Sequence, residues 1–233
     1  MMAPILECRN LVKTYGSRPA LQGINLQLGR GRIVGLLGPN GSGKTTLIKL
    51  ACGLLSPTHG EILVDGKKPG PATKAQVSYL PERMAVEQWM KASQLVGFYQ
   101  DFYRDFDGAK AREMLAALKI DPGDTIKSMS KGTREKVQLV LVMSRRADLY
   151  LLDEPIGGVD PATRDYILRT IIGNYSENST VLISTHLIAE VENLLDDVVM
   201  INQGGIVLQS TADEIRENRG QSVDELFREV FRC

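Results

Sequence analysis

Residues 38 to 45 read Gly-Pro-Asn-Gly-Ser-Gly-Lys-Thr, a complete G-x-x-x-x-G-K-[ST] spacing, and its flanks limit the folds open to the chain. The apolar run Ile33-Val34-Gly35-Leu36-Leu37 precedes it, and a helical stretch opens at Thr45-Thr46-Leu47. An uninterrupted apolar run of this length reads as a strand buried on both faces of a parallel sheet. The strand delivers the loop and the glycines turn it. Backbone N–H groups and the helix N-terminus then point at one small anion. In this arrangement Lys44 reaches the β- and γ-phosphates and the Thr45 hydroxyl ligates Mg²⁺. The chain is expected to be α/β and to bind a nucleoside triphosphate.

A second element fits the same chemistry. Asp148-Leu149-Tyr150-Leu151-Leu152-Asp153-Glu154-Pro155 reads as a buried parallel strand that surfaces at its C-terminal end, where open α/β sheets bind ligands. Asp153 is then placed to hold a Mg²⁺ shell. Glu154, one residue further on, is placed to orient or deprotonate a water that attacks the γ-phosphate.

Composition removes other classes. With 28 basic and 28 acidic residues the net charge is zero, so no overall field draws the chain to nucleic acid or anionic lipid. Three cysteines (Cys8, Cys52 and Cys233) form an odd set without a C-x-x-C pair, which suits free thiols in a reducing compartment. The N-terminus lacks the basic and apolar regions of a signal peptide. No apolar run approaches the ~20 residues of a membrane span; Val137 to Met143, broken by Gln138, is among the longest. The chain on its own is expected to be soluble.

The features that narrow the choice follow in order. Ser128-Met-Ser-Lys-Gly-Thr-Arg-Glu-Lys136 precedes the carboxylate strand, Ile156-Gly-Gly-Val-Asp160 follows it, and Ser184-Thr185-His186 closes a further apolar strand, Thr180 to Ile183. In this order the chain resembles the nucleotide-binding subunit of ABC transporters, from about Leu6 to about Ser210. The resemblance implies one ABC ATPase domain over residues 1–233: a P-loop NTPase core with a parallel sheet flanked by helices, an N-terminal antiparallel β subdomain, a helical subdomain over 83–130 and a short C-terminal helical tail over 211–233.

It also implies roles residue by residue. Gly38, Pro39, Asn40, Gly41, Ser42, Gly43, Lys44, Thr45 and Thr46 match the phosphate loop, and Asp153 and Glu154 match the metal-shell and catalytic carboxylates. Tyr15 matches the aromatic that stacks on adenine; the alternative is a half-buried strand tyrosine. Ser130 and Gly132 match the signature turn, which binds the γ-phosphate held by the other protomer. His186 matches the switch histidine at the γ-phosphate, and Asp160 the loop that couples one protomer's site to the other's. The implied partners are a second ATPase subunit and membrane-spanning permease subunits, with no nucleic acid. The implied cofactors are ATP and Mg²⁺, and the implied location is the cytoplasmic face of the cell membrane.

Three motifs depart from the family pattern. Lys131 and Thr133 interrupt the usual Leu-Ser-Gly-Gly-Gln, and the Lys131 ammonium is expected either at the opposing phosphates or in solvent. Glu82 stands where glutamine is usual. Its carboxylate can ligate Mg²⁺, yet it repels phosphate and, when ionised, donates no hydrogen bond, which favours a role joining the lobes. Gly157 replaces a serine.

Between Glu82 and Ser130 the aromatic residues Phe98, Tyr99, Phe102, Tyr103 and Phe106 recur at helical spacing along Gly97 to Asp107, and this stripe is expected to form lobe core. Trp89 is read either as a partner contact or as packing. Membrane export through separate permeases is the leading reading. An importer subunit stays open, and so does a soluble ABC ATPase acting on DNA or ribosomes. The stretch from Lys44 to Ser130 has no room for the long coiled coil of break-repair members, and the chain has one ATPase cassette rather than two.

Overall fold

The computed structural model describes residues 3–82, 86–176 and 178–231. Strand β1 (Leu6–Tyr15) turns through Gly16 and Ser17 into β2 (Arg18–Leu28), an antiparallel pair that ends with Tyr15 opposite Arg18. The chain then enters β3 (Ile33–Leu37), the strand expected to deliver the phosphate loop. After helix α1 (Lys44–Ala51), β4 (His59–Val64) pairs antiparallel with β1 and completes a three-stranded sheet.

The main sheet adds β5 (Val77–Leu80), β6 (Leu149–Asp153), β7 (Thr180–Thr185), β8 (Asp197–Asn202) and β9 (Gly205–Thr211), in the spatial order β5-β6-β7-β3-β8-β9. Five of these strands are parallel. β9 returns antiparallel through the Gln203-Gly204 turn and makes the sheet mixed at that edge.

Period-two alternation divides the strand residues between two cores. Leu36, Leu151, Leu182 and Val199 face α1 and the antiparallel sheet. Leu37, Leu152, Ile183 and Met200 face the other way, toward α5 (Lys131–Met143) and α6 (Pro161–Asn174). Both sides are covered, which is why these strands read as unbroken apolar runs. Short helices α2 (Pro71–Lys74) and α7 (Ile188–Val191) and the tail helices α8 (Ala212–Arg219) and α9 (Val223–Phe231) complete the layer. Ser222 and Glu225 cap α9 reciprocally, as their spacing predicts (Ser222 N to Glu225 Oε2, 2.8 Å; Glu225 N to Ser222 Oγ, 3.1 Å). Cys8 and Cys52 are free and buried, and burial pushes both thiols up to about 12. Cys233 lies outside the described residues.

A third core belongs to α3 (Ala92–Phe102) and α4 (Gly108–Ala117), where Leu95, Val96, Ala111 and Leu115 pack on Val137, Val140 and Leu141 of α5. The aromatic stripe divides here. Tyr99, Tyr103 and Phe106 pack inward with ring centroids 5.4 and 5.5 Å from Tyr99, whereas Phe98 and Phe102 pair with each other at 4.5 Å on the surface. Phe102 is 69% exposed, so the expectation of a wholly buried stripe fails. The reason is local. Phe98 and Phe102 form their own i, i+4 row on α3, beside the row of Leu95 and Tyr99 that faces the core. The helix ends at Phe102 with Tyr103 extended (φ −116°, ψ 111°), so Phe106 leaves their row and turns inward.

One side chain fastens this lobe to the sheet. Arg145 is 4% exposed. Its guanidinium donates to Asp105 at 3.0 Å, to the Val77 carbonyl at 2.6 Å and to the Ala75 carbonyl at 3.0 Å, and it lies 4.0 Å from the Tyr103 ring centroid. A buried charge is tolerated when its donors are all used in this way.

Candidate nucleotide site

Strands β3, β7 and β6 end at one level, with Leu37 opposite Thr185 and Asp153 opposite Ser184. That register brings together residues far apart in the chain: the loop after β3, the carboxylates after β6 and His186 after β7. Gly43 closes the loop with φ +116°, and a Cβ there would lie 2.7 Å from the Ala20 carbonyl, so only glycine fits. α1 begins at the next residue, and its first amides face the loop.

Lys44 is 5% exposed and folds back over the loop. Its Nζ donates to the carbonyls of Gly38 (2.7 Å) and Pro39 (3.3 Å) and lies 3.5 Å from Glu154 Oε1. The Thr45 hydroxyl donates to Asp153 Oδ1 at 3.1 Å, and the Ser184 hydroxyl donates to the same oxygen at 2.5 Å. Asp153 Oδ2 is buried without a hydrogen-bond partner among the described residues. Burial raises the Asp153 carboxyl above its ordinary range, against the pull of those two hydroxyls.

Glu154 has φ +49°, a conformation that costs a non-glycine residue about 1 kcal/mol or more and turns its side chain back over the strand ends. Its carboxylate accepts from Thr185 Oγ1 at 3.2 Å and from His186 Nδ1 at 3.0 Å. Because an ionised carboxylate only accepts, Nδ1 carries a proton and Nε2 of a neutral imidazole is left as an acceptor. Lys44, Thr45, Asp153, Glu154 and His186 line one cavity of about 880 Å³, together with Asn40, Gly41, Ser42, Gly43, Thr46 and Glu82, whereas Gly38 and Pro39 are not among its lining residues. Glu82 adds a smaller upward push to the Asp153 carboxyl through its like charge.

Ser130 and Gly132 are elsewhere. Ser130 caps α5, its Oγ accepting from Thr133 N at 3.2 Å, and both residues line a second cavity of about 490 Å³ with Asp160 and Thr163. Asp160 caps α6, accepting from Thr163 N at 3.0 Å and from Thr163 Oγ1 at 2.7 Å, contacts that hold its carboxyl below the usual range. Lys131 and Gly158 border both cavities. Tyr15 is 48% exposed at the end of β1, outside the residues that line either cavity, with Lys13 Nζ 5.4 Å from its ring centroid.

Three contributors escaped sequence reasoning. Gln138, buried in the apolar stretch of α5, lines the main cavity, as do Gln88 and Arg134. A glutamine inside an apolar helical run was the one available signal, and it registered only as an interruption. Lys131 is largely exposed, in line with the solvent reading, and its ammonium also donates to the Gly158 carbonyl at 3.1 Å and lies 3.7 Å from Glu135.

No three histidine, cysteine, aspartate or glutamate side chains converge as a metal cage among the described residues. Mg²⁺ needs none, since it is held by one or two carboxylates together with substrate phosphates. The unpartnered Asp153 oxygen beside the Thr45 hydroxyl fits such an ion.

Residues 21–157 match the model of the ABC transporter family. The linearmycin resistance ATP-binding protein LnrL of Bacillus subtilis (strain 168) is 30% identical over 224 residues, 93% of this chain and 72% of that one. The lantibiotic transport ATP-binding protein SrtF of Streptococcus pyogenes is 28% identical over 228 residues, 96% of each chain. Among solved structures, an ATP-binding subunit of an ABC transporter superposes with a TM-score of 0.86 at 28% identity, covering 97% of this chain and 99% of the other. Its sheet order, phosphate loop and carboxylate strand agree with these likenesses, and the chain belongs to the ABC transporter family as an ATP-binding, ATP-hydrolysing subunit.

Proposed function

We propose that this chain hydrolyses Mg²⁺–ATP at sites shared between two ATPase subunits and so drives export through separate membrane-spanning permeases. The observation that supports the shared site is that Ser130 and Gly132 do not line the cavity that holds the phosphate loop and the carboxylates. Lys44, Thr45, Asp153, Glu154 and His186 surround the first, whereas Ser130 and Gly132 border the second. A second copy facing the first in antiparallel fashion would supply Ser130 and Gly132 to its partner's γ-phosphate.

In this reading Lys44 exchanges its contact with Glu154 for the β- and γ-phosphates. Glu154 then turns to the attacking water and acts as general base. The backbone amides of Asn40 to Thr46 and the start of α1 hold the phosphates. Thr45 and Asp153 would hold Mg²⁺, which neutralises phosphate charge when bound. His186 donates to the γ-phosphate through Nε2 only with a second proton on its ring, or by giving up its Glu154 contact. Phosphoryl transfer depends chiefly on positioning and charge, so closing the dimer completes the site and gates turnover. Tyr15, exposed and flat, is available to stack on adenine. Glu82 joins the lobes rather than the metal, since Thr45 and Asp153 already supply ligands.

Export is favoured by relatives whose names describe linearmycin resistance and lantibiotic transport. Among the described residues no helix is long and apolar enough to cross a membrane. Trp89, 67% exposed beside the helical lobe, is a contact for the permeases. The test is Glu154→Gln with ATP on size-exclusion chromatography. An ATP-dependent dimer that retains ATP supports the shared site; a monomer at saturating ATP overturns it.

A further inference from the structure

The signature turn and the loop 156–160 touch at two points, one of them made by a side chain that departs from the family pattern. A Cβ at Gly132 would lie 3.3 Å from Thr163 Oγ1 and 3.5 Å from Asp160 Oδ2, so the turn already rests against the start of α6. Lys131 makes the other contact, donating to the Gly158 carbonyl at 3.1 Å. Gly158 has φ +70°, and a Cβ on it would lie 2.8 Å from Lys131 Nζ, so the ammonium occupies the space that glycine leaves open. Glu135, one helical turn on, lies 3.7 Å from the same ammonium. Behind Gly158 the connection is backbone: Gly157 N donates to the Glu154 carbonyl at 3.0 Å. A short chain of bonds therefore runs from the signature turn to the residue that carries the catalytic carboxylate.

We infer that Lys131 is a positioning residue that ties the signature turn to the Glu154 loop of its own chain, so that the turn serving one ATP and the base serving the other move together. This rests on the shared-site reading for its consequence, though not for the tether itself. Lys131 reaches neither its own phosphate loop nor Glu154 directly. Its contacts are a carbonyl and a carboxylate, both within its own chain. The side chain is largely exposed, so the tie is weak and reversible, as befits a part that must yield when the dimer closes.

Hydrogen–deuterium exchange on the isolated chain reads the tether directly, because local opening governs exchange of loop amides. Lys131→Met keeps the length of the side chain and removes the donor. It should speed exchange of the peptide spanning Gly157 to Asp160 severalfold and leave β6 and β7 unchanged, while Lys131→Arg should stay within twofold of the parent. Unchanged loop exchange in Lys131→Met, or a rise spread evenly over the whole chain, would overturn the inference. The consequence is read in the Glu154→Gln background, where adding Lys131→Met should raise the ATP concentration needed for dimerisation severalfold and Lys131→Arg should restore it. If Glu154→Gln alone never dimerises, the shared-site reading fails, while the exchange result still decides the tether.

Discussion

The two cavities are built on different terms. The first is lined by side chains that hold one another in place: Lys44 on carbonyls and Glu154, Asp153 on two hydroxyls, Glu154 on Thr185 and His186. Asp153 Oδ2 and Ser42 Oγ are left there without a hydrogen-bond partner among the described residues. The second offers a helix cap, two glycines and an exposed lysine, with Ser130 and Asp160 occupied in holding helix ends. One is an organised catalytic centre and the other an open surface. The difference teaches that binding and chemistry are separable here. In the shared-site proposal the first cavity would hold the nucleotide, and the second, facing a partner's cavity, would decide when turnover is permitted.

Glu154→Gln strikes this contrast hardest, because it removes the base without disturbing the phosphate cradle. Steady-state turnover should fall by about 10²-fold or more while ATP affinity holds; turnover near the parent's would place the base elsewhere. Lys44→Ala attacks binding itself. ATP affinity by direct titration should fall on the order of 10- to 100-fold, with loss of a charge-assisted phosphate contact worth about 1.5–3 kcal/mol. An unchanged dissociation constant would remove Lys44 from the site.

Ser130→Arg tests the other side of the comparison. It should leave the affinity of the single chain within about twofold, while the ATP-dependent dimer of the Glu154→Gln protein is lost. A surviving dimer peak would put the signature turn outside the interface.

Asp153→Asn separates organisation from stability. Burial raises this carboxyl, so its ionised form opposes folding at neutral pH: its contribution to stability is full below the unfolded-state value and fades as pH rises through the folded-state value. The neutral amide should abolish hydrolysis yet raise Tm by about 2–4 °C, read by calorimetry at pH 7. A lower Tm would mean that the hydroxyl contacts outweigh desolvation. The smallest effect belongs to Glu82→Gln, whose Mg²⁺ midpoint for ATP hydrolysis should stay within about twofold while stimulation by membrane partners drops. A severalfold shift in the isolated chain would return Glu82 to the metal shell.

The main cavity was legible because its chemistry is written in contiguous runs. The phosphate loop, the Asp153-Glu154 pair and the Ser-Thr-His turn each follow an apolar strand, and a parallel sheet brings such strand ends to one edge. What escaped has no local pattern. Arg145 meets Asp105 and the carbonyl of Val77, and Lys131 meets Gly158, across stretches that no periodicity links. The aromatic stripe misled for a related reason: a helix that stops at Phe102 sends residues of one apparent period in different directions. The turn into β9 carries a local signal, Gln203-Gly204 between two apolar strands, and both residues adopt the positive φ (45° and 78°) that such a hairpin needs.

The surface pair Phe98–Phe102 has a mechanical meaning. Phe98 meets Tyr99 edge-on at 6.4 Å, Tyr99 packs on Tyr103 at 5.4 Å, Tyr103 carries the Arg145 guanidinium at 4.0 Å, and Arg145 is bonded to the first residue of β5. Every member is a planar group that cannot fold up under load, and no flexible aliphatic link intervenes. The lobe thus contains a stiff column standing between its outer skin and an edge strand of the main sheet. That path ends at Val77, three residues before β5 ends and five before Glu82. A partner seated on that exposed pair would stand at one end of an unbroken line of contacts to the sheet edge that leads to Glu82.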